Sequence, residues 1–303
     1  LASAAQRTSR LRLGALTWCL PLYNPLRLLE ELCMLDQLSH GRLEIGLGRG
    51  VSPHEGQRHG VQPEESRERF QEVLQLLVMG FTKGQLDFEG KYYRYAGLKT
   101  RLRTIQQPYP PMWYPTSSLE TIPWIGAQGL NVVVSLLHSP SFDRACEMLS
   151  RYRSELAKHR RDPARINGHV AAPQCAFTTH IHVAETDERA RDQARAAYSQ
   201  FHENFTRRYV EIGQGDKYAN RPTFDQFVER SQILCGSPET VRRHWRDKQR
   251  RHQKCCTHRA LLAEKLFTNR VIRQCDDKAP RIHLCISQIR NATVSLPYCA
   301  APR

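Results

Sequence analysis

No stretch of the 303 residues approaches the roughly 20 consecutive apolar residues that a bilayer-spanning helix requires, which excludes a helical membrane protein. No Gly-x-Ser-x-Gly elbow occurs, so the usual α/β-hydrolase nucleophile has no seat. Within the first 240 residues Cys19, Cys33, Cys146, Cys175 and Cys235 stand singly, without paired metal-ligand spacing. That pattern removes a metal centre and reads as reduced thiols in a cytoplasmic protein. Gly46-x-Gly48-x-Gly50 lacks the third glycine of a dinucleotide fingerprint, because Val51 occupies its place, and a Rossmann reading is set aside. No secretory leader is recognisable, and the chain opens at Leu1 rather than at methionine, so its start is read as truncated.

Glycine is also missing from one end: none of the 17 lies beyond Gly236. Charge shifts at the same place. Residues 1–240 carry 30 Lys+Arg against 26 Asp+Glu, whereas residues 241–303 carry 15 against 4 and hold Cys255, Cys256, Cys275, Cys285 and Cys299. We therefore read residues 1–240 as an enzyme-like domain and residues 241–303 as a basic, cysteine-containing, atypical tail, solvated and partly disordered. His252, Cys255, Cys256 and His258 match no standard zinc-finger spacing with Cys275 or Cys285. Scattered arginines with few aromatics argue against a nucleic-acid grip.

What is present in the body is an alternation of short β-like runs and longer helical ones, the pattern of a parallel sheet with crossover helices. Leu11–Leu16 reads as a strand. Asn24-Pro25 supplies an N-cap and a first helical residue, followed by Leu28, Leu29, Leu32 and Leu35 at helical spacing before Gly41. Arg42–Gly48 is the next strand, and Pro63-Glu64-Glu65 starts a helix with Phe70, Val73, Leu74, Leu77 and Phe81 as its buried stripe. After an aromatic-rich excursion from Phe88 to Tyr95 come a strand at Met112–Tyr114, a helix from Ser117 through Trp124, and a strand at Leu130–Ser135. Helices over residues 141–159 and 187–208 flank a further strand, Phe177–Val183. Five strands are too few for a closed eight-stranded barrel.

Three segments carry chemistry. They are Pro21-Leu22-Tyr23-Asn24-Pro25-Leu26-Arg27 with the run from Leu35 to Gly50, then Gly60–Arg67, and Trp113-Tyr114-Pro115-Thr116-Ser117-Ser118-Leu119-Glu120-Thr121 with Trp124 and Gly129-Leu130-Asn131. Arg49 stands at a strand end. Ser117 and Ser118 would open a helix with Thr121 one turn on, so that hydroxyls and backbone N–H groups face an anion near a positive helix terminus. Arg67, on its own helix's first turn, offers a second guanidinium. Taken singly these residues would read as surface ion-pair partners and an ordinary helix start. His54 and His59, in the loop after Arg49, read as solvated, and Trp113, Tyr114 and Trp124 as core or pocket lining.

Together with Gly236-Ser237-Pro238-Glu239-Thr240-Val241, these segments resemble the bacterial luciferase-like, flavin-dependent monooxygenase family in order and spacing from Leu1 to about Arg242. The resemblance implies an α/β fold, a (β/α)8 TIM barrel of the luciferase-like type, here incomplete and lacking its first two strands and its last. It further implies that Arg49, Arg67, Ser117, Ser118 and Thr121 bind the FMN phosphate, and that Leu16 and Thr17 lie against the flavin ring. The implied activity is oxygenation of a small-molecule substrate with dioxygen and reduced FMN supplied by a separate flavin reductase, in a protein that forms a homodimer. A reduced deazaflavin coenzyme is the alternative within the fold, and a non-catalytic remnant with a basic interaction tail the alternative outside it. The family's acid/base histidine has no counterpart in this chain, so no catalytic residue is assigned. Edges left by the absent strands are expected to be unpaired.

Overall fold

A computed structural model of the protein describes residues 1–50, 53–138, 141–211, 213–218, 221–255, 261–266 and 284–285. The chain opens with α1 (Ala2–Arg7), β1 (Leu13–Gly14) and β2 (Trp18–Cys19), then α2 (Pro25–Leu38), β3 (Ile45–Gly48), α3 (Pro53–Arg58) and α4 (Ser66–Lys83). A hairpin, β4 (Gln85–Glu89) and β5 (Arg94–Lys99), precedes β6 (Met112–Thr116), α5 (Ile122–Ala127), β7 (Asn131–Ser135) and α6 (Phe142–Lys158). There follow β8 (Cys175–Val183), α7 (Asp187–Val210), α8 (Phe224–Glu229), β9 (Ile233–Gly236), α9 (Pro238–Cys255), β10 (Leu261–Leu266) and β11 (Leu284–Cys285).

The main sheet runs β10-β8-β7-β6-β3-β2, with β9 also paired to β8, and every pairing in it is parallel. It is open, because no pairing joins β2 to β10 among the described residues. The sequence reading of an α/β architecture with an incomplete barrel matches this. The expected edges are not bare, however. β1 pairs with β11, Leu13 opposite Leu284, and β8 carries β10 over six residues. The rest of the tail, with Cys256, His258, Cys275 and Cys299, lies outside the described residues. α9 crosses the expected boundary at residue 240 without a break.

Local chemistry explains the element ends. Asn24 accepts the Arg27 N–H at 3.1 Å and Pro25 follows as the first helical residue, as the sequence indicated. Ser141 and Thr186 cap α6 and α7 in the same way. The Arg42 guanidinium closes α1 by donating to the Ala5 and Thr8 carbonyls at 2.9 and 2.8 Å, and it also reaches the Leu11 and Ser39 carbonyls. The main core lies between the sheet and α2, α4, α5 and α6, where Leu28, Leu29, Leu32, Phe70, Val73, Leu77, Phe81, Met148 and Leu149 meet Met112, Val132, Val134 and Phe177. A smaller core forms where α7 and α8 meet β9, around Tyr198, Phe224, Phe227 and Ile233. No helix among the described residues is long and apolar enough to cross a membrane.

Several expectations need correction. Of the strand read at Leu11–Leu16 only Leu13–Gly14 forms, as β1; Ala15–Thr17 follows, and β2 lies beyond the expected span, at Trp18–Cys19. The aromatic excursion is a hairpin whose tip is tied to α4: Glu72 accepts the Lys91, Tyr92 and Tyr93 N–H groups. β9 and α8 escaped the sequence reading. β9 is only four residues long, and its helical successor dominated the local pattern. Cys19 is half-buried rather than enclosed like Cys33, Cys146, Cys175 and Cys235. Burial holds the Cys33 and Cys235 thiols at about 11, so neither is a thiolate near neutrality.

The Gly236–Val241 segment has a structural role. Asp187, in the first turn of α7, accepts the Ser237 N–H at 2.6 Å and the Thr240 hydroxyl at 2.9 Å, which clamps the start of α9. A Cβ on Gly236 would sit 2.8 Å from that carboxylate, at a φ of +155°. The Ser237 and Thr240 hydrogen bonds lower the Asp187 pKa below its usual value. Asp187→Asn should cost about 1 kcal/mol at neutral pH, the site being solvent-screened. Because the folded pKa is the depressed one, the wild-type advantage is complete above about pH 4 and disappears as pH falls through the folded value. Urea denaturation of both proteins at neutral and acid pH measures this, and a gap that persists undiminished in acid would contradict it.

Candidate active site

All strands of the sheet run the same way, so β2, β3, β6 and β7 deliver their C-terminal ends to one rim, where barrels hold their ligands. Alternation sorts their side chains. Met112, Val132, Val134 and Phe177 face the helices, whereas Trp113, Val133 and Ala176 form a second apolar patch on the opposite, inner face. Leu16 packs on that patch. Its position is fixed by the close passage of Ala15–Thr17 over β3. A Cβ on Gly46 would fall 2.2 Å from the Ala15 carbonyl oxygen, and one on Gly48 would fall 2.1 Å from Thr17 Oγ1. Only glycine admits that approach. The Leu16–Thr17 peptide in this passage is cis. Leu16 thus lies on the inner patch and Thr17 against Gly48, between two strand segments rather than at a strand end.

Below the rim lies a polar plug of connected side chains. Glu44 accepts from the Arg12 guanidinium and from the Trp113 indole N–H. Arg12 also donates to Gln106, whose amide donates to the buried Asp36 carboxylate at 2.7 Å. Every charge in this plug has an opposite charge or a hydrogen-bonding partner.

The rim differs. Arg49 and Arg67 are exposed, and neither has a carboxylate partner or side-chain hydrogen bond among the described residues. The Ser66 hydroxyl donates to the Arg49 carbonyl at 2.9 Å, and this bond brings the first turn of α4 against the end of β3. Both guanidiniums act on one group. Burial raises the Tyr114 pKa, and the charges of Arg49 and Arg67 oppose that rise. Tyr114 is itself held edge-on against Phe70 (5.9 Å) and Trp124 (5.3 Å), so the end of β6 is a rigid aromatic base.

Ser117, Ser118 and Thr121 follow on the same strand end, but not as a helix start. Thr116 Oγ1 accepts the Ser118 N–H at 3.0 Å, and Ser118 Oγ accepts the Glu120 N–H at 3.2 Å. These local bonds compete with helix formation and delay α5 until Ile122, where Pro123 suits the first turn. The Ser118 N–H is therefore spent within the turn. What remains for a ligand is the Ser118 hydroxyl proton, the exposed Ser117, and Thr121, whose side chain at the N-cap makes no capping bond. The helix start read at Ser117 and Ser118 therefore does not form there.

Two residues at the rim escaped sequence reading. Ser135 Oγ and His138 Nδ1 lie 2.9 Å apart at the end of β7, and Ser135 shares the inner face with Val133. No spacing rule singles out such a pair. His59 is exposed, as expected; the surroundings of the His54 side chain lie outside what the structure describes. No metal-binding group of three His, Cys, Asp or Glu occurs among the described residues.

A family model for luciferase-like monooxygenases matches residues 1–252. The chain belongs to this family. It is 32% identical over 244 residues to the uncharacterized protein y4wF of Sinorhizobium fredii, an alignment covering 80% of this chain and 68% of that one. It is 27% identical over 192 residues to the oxygenase component of the flavin-dependent trigonelline monooxygenase of Acinetobacter baylyi, with 63% of this chain aligned to only 51% of that protein. The chain thus spans about half of that oxygenase. Among solved structures the luciferase-like fold is shared with the monooxygenase RslO1 of Streptomyces bottropensis, at a TM-score of 0.70 and 24% identity, over 88% of this chain and 74% of that one. It is shared too with the oxygenating constituent of 3,6-diketocamphane monooxygenase of Pseudomonas putida, in complex with FMN (TM-score 0.64, 19% identity, 87% and 75% covered). The coenzyme F420-dependent tetrahydromethanopterin reductase of Methanopyrus kandleri also has it (TM-score 0.61, 16% identity, 87% and 80% covered).

For this luciferase-like chain the passage over β3 is open to test. Gly48→Ala should destabilise the protein by about 1–3 kcal/mol, since the added methyl must displace Thr17. Gly48 is not in a left-handed conformation, so the loss reads contact alone, and adding Thr17→Ala to Gly48→Ala, which removes the hydroxyl the methyl would meet, should recover part of the loss. Thermal unfolding of the two variants checks it, and a Gly48→Ala protein as stable as wild type would contradict the crowding.

Proposed function

We propose that this chain is the oxygenase component of a flavin-dependent monooxygenase that binds reduced FMN at the rim and oxygenates a small organic substrate with dioxygen. The observation that carries the reading is that Arg49 and Arg67 have no carboxylate partner among the described residues and that the charges of both reach Tyr114, on the strand end that leads into Ser117, Ser118 and Thr121. Two fixed cations and several hydroxyl donors suit a phosphate dianion. The inner patch of Leu16, Trp113, Val133 and Ala176 suits the apolar ring at the other end of such a cofactor.

The bound reduced flavin would supply the electrons that activate dioxygen. The chain's own residues do the rest. Arg49 and Arg67 would neutralise the phosphate, Ser118 and Thr121 would donate hydrogen bonds to it, and Leu16 and Thr17 would border the ring and exclude water. Reduced FMN comes from a separate flavin reductase in this reading, and the protein works in the cytoplasm as a homodimer. An oxidoreductase that uses a reduced deazaflavin instead is the second reading, supported by the F420-dependent enzyme of the same fold. A chain that binds neither coenzyme would be the non-catalytic remnant.

Fluorescence titration of the full chain with FMN and with reduced deazaflavin separates these readings. Saturable FMN binding is expected, weakened roughly 10- to 100-fold by Arg49→Ala or Arg67→Ala, as for loss of a charge-assisted hydrogen bond. Ser118→Ala should weaken it by several-fold. FMN affinity that ignores both arginine substitutions would overturn the phosphate site.

A further inference from the structure

Val133 belongs to the inner patch proposed for the flavin ring, and Ser135 stands two residues further along β7 on the same face, about 7 Å nearer the strand end. The pairing is regular through this position: Ser135 lies opposite Thr178, and Val134 opposite Thr116, from which the chain leads into Ser117 and Ser118. The Ser135 hydroxyl is therefore carried to the edge of the patch, between the ends of β6 and β8. It meets His138 Nδ1 at 2.9 Å. The Phe205 ring of α7 also leans on the imidazole, with centroids 6.0 Å apart and planes 55° apart. A hydrogen bond and a ring thus hold this histidine, yet it remains exposed.

Reduction of dioxygen by two electrons consumes two protons, and the other groups described at the strand ends carry them poorly. Guanidiniums keep theirs. Burial raises the Tyr114 phenol and the Cys19 thiol above their usual values. An imidazole gives and takes protons near neutrality. The partner at Nδ1 matters as much. A carboxylate there would favour the charged ring, whereas a hydroxyl can accept from an Nδ1–H or donate to the unprotonated nitrogen. Ser135 can therefore hold the ring in either protonation state.

We propose that His138, positioned by Ser135, is the proton carrier of the flavin site; this rests on the flavin reading above. Two electrons pass from bound reduced FMN to dioxygen, and the flavin releases two protons. His138 gives a proton to the oxygen being reduced and recovers one of those two, while the other reaches the oxygen through solvent. The full chain, in excess over FMN, is examined in two ways. Diethyl pyrocarbonate, with the label located by mass spectrometry, should modify His138 in the free protein and spare it when FMN is bound. Inorganic phosphate, which fills the arginine pair alone, should not protect it, and His40, exposed at the opposite ends of the strands, should react alike throughout. Reoxidation of bound reduced FMN by dioxygen, to FMN and hydrogen peroxide, should slow roughly 100-fold in His138→Ala, and added imidazole should restore it. Ser135→Ala should slow it several-fold, with Ser135→Thr retaining the wild-type rate. The carrier is overturned if His138 is unlabelled in the free protein, is labelled as fast with FMN as without, or is protected by phosphate. An unchanged rate in His138→Ala, or a loss that imidazole does not restore, overturns it equally. Ser135→Ala at the wild-type rate, or Ser135→Thr as slow as Ser135→Ala, removes the positioning role. Wild-type protein that binds no FMN would sink the flavin reading itself, and the carrier with it.

Discussion

The close passage of Ala15–Thr17 over Gly46 and Gly48 is the constraint from which the rest of the site follows. It separates β1 from β2 and turns Leu16 onto the inner patch. It also sets Thr17 beside the end of β3, from which the chain leaves towards Arg49. A side chain at either glycine would collide with backbone or with Thr17, so the packing leaves no freedom to slide one segment along the other. The rim inherits that rigidity. Ser66 ties α4 to the Arg49 carbonyl, and the Phe70, Tyr114 and Trp124 rings hold α4, β6 and α5 together beneath the two arginines.

Arginines in this protein divide by what answers their charge. Arg12 and Arg42 are engaged on every side, by Glu44 and Gln106 in one case and by helix-end carbonyls in the other, and they hold elements in place. Arg49 and Arg67 have no such partners among the described residues. Solvent screens both, so their lack of counter-charge costs little. Which arginines the fold engages is a distinction that only three-dimensional neighbours reveal.

Much of the fold was legible because apolar spacing states which face of a helix is buried. Leu28, Leu29 and Leu32, or Phe70, Val73, Leu74 and Leu77, announce their helices and their core face without help. Asn24-Pro25 announces a start. The helix expected at Ser117 failed because the same hydroxyls that favour a helix start can also close a turn on themselves, and Thr116 settled the competition locally. β9 was too short to show a period. The Ser135–His138 pair was not legible, since it joins a strand end to the turn after it and no spacing rule singles it out.

The order of strands in the sheet has a consequence for how the molecule comes into being. From β3 through β6 and β7 to β8, each new strand of this sheet joins the strand of the sheet that precedes it, the β4–β5 hairpin standing apart, so this part grows by adding the next arrival at an edge. β10 breaks the rule by returning to β8 from about eighty residues away, as does β11 in returning to β1. Sequential, short-range closure suits a chain emerging from the ribosome, and the two late returns require most of the polypeptide to be finished first. Assembly is thus divided in time, with the wall that bears the arginine pair complete while the far edges are still being synthesised.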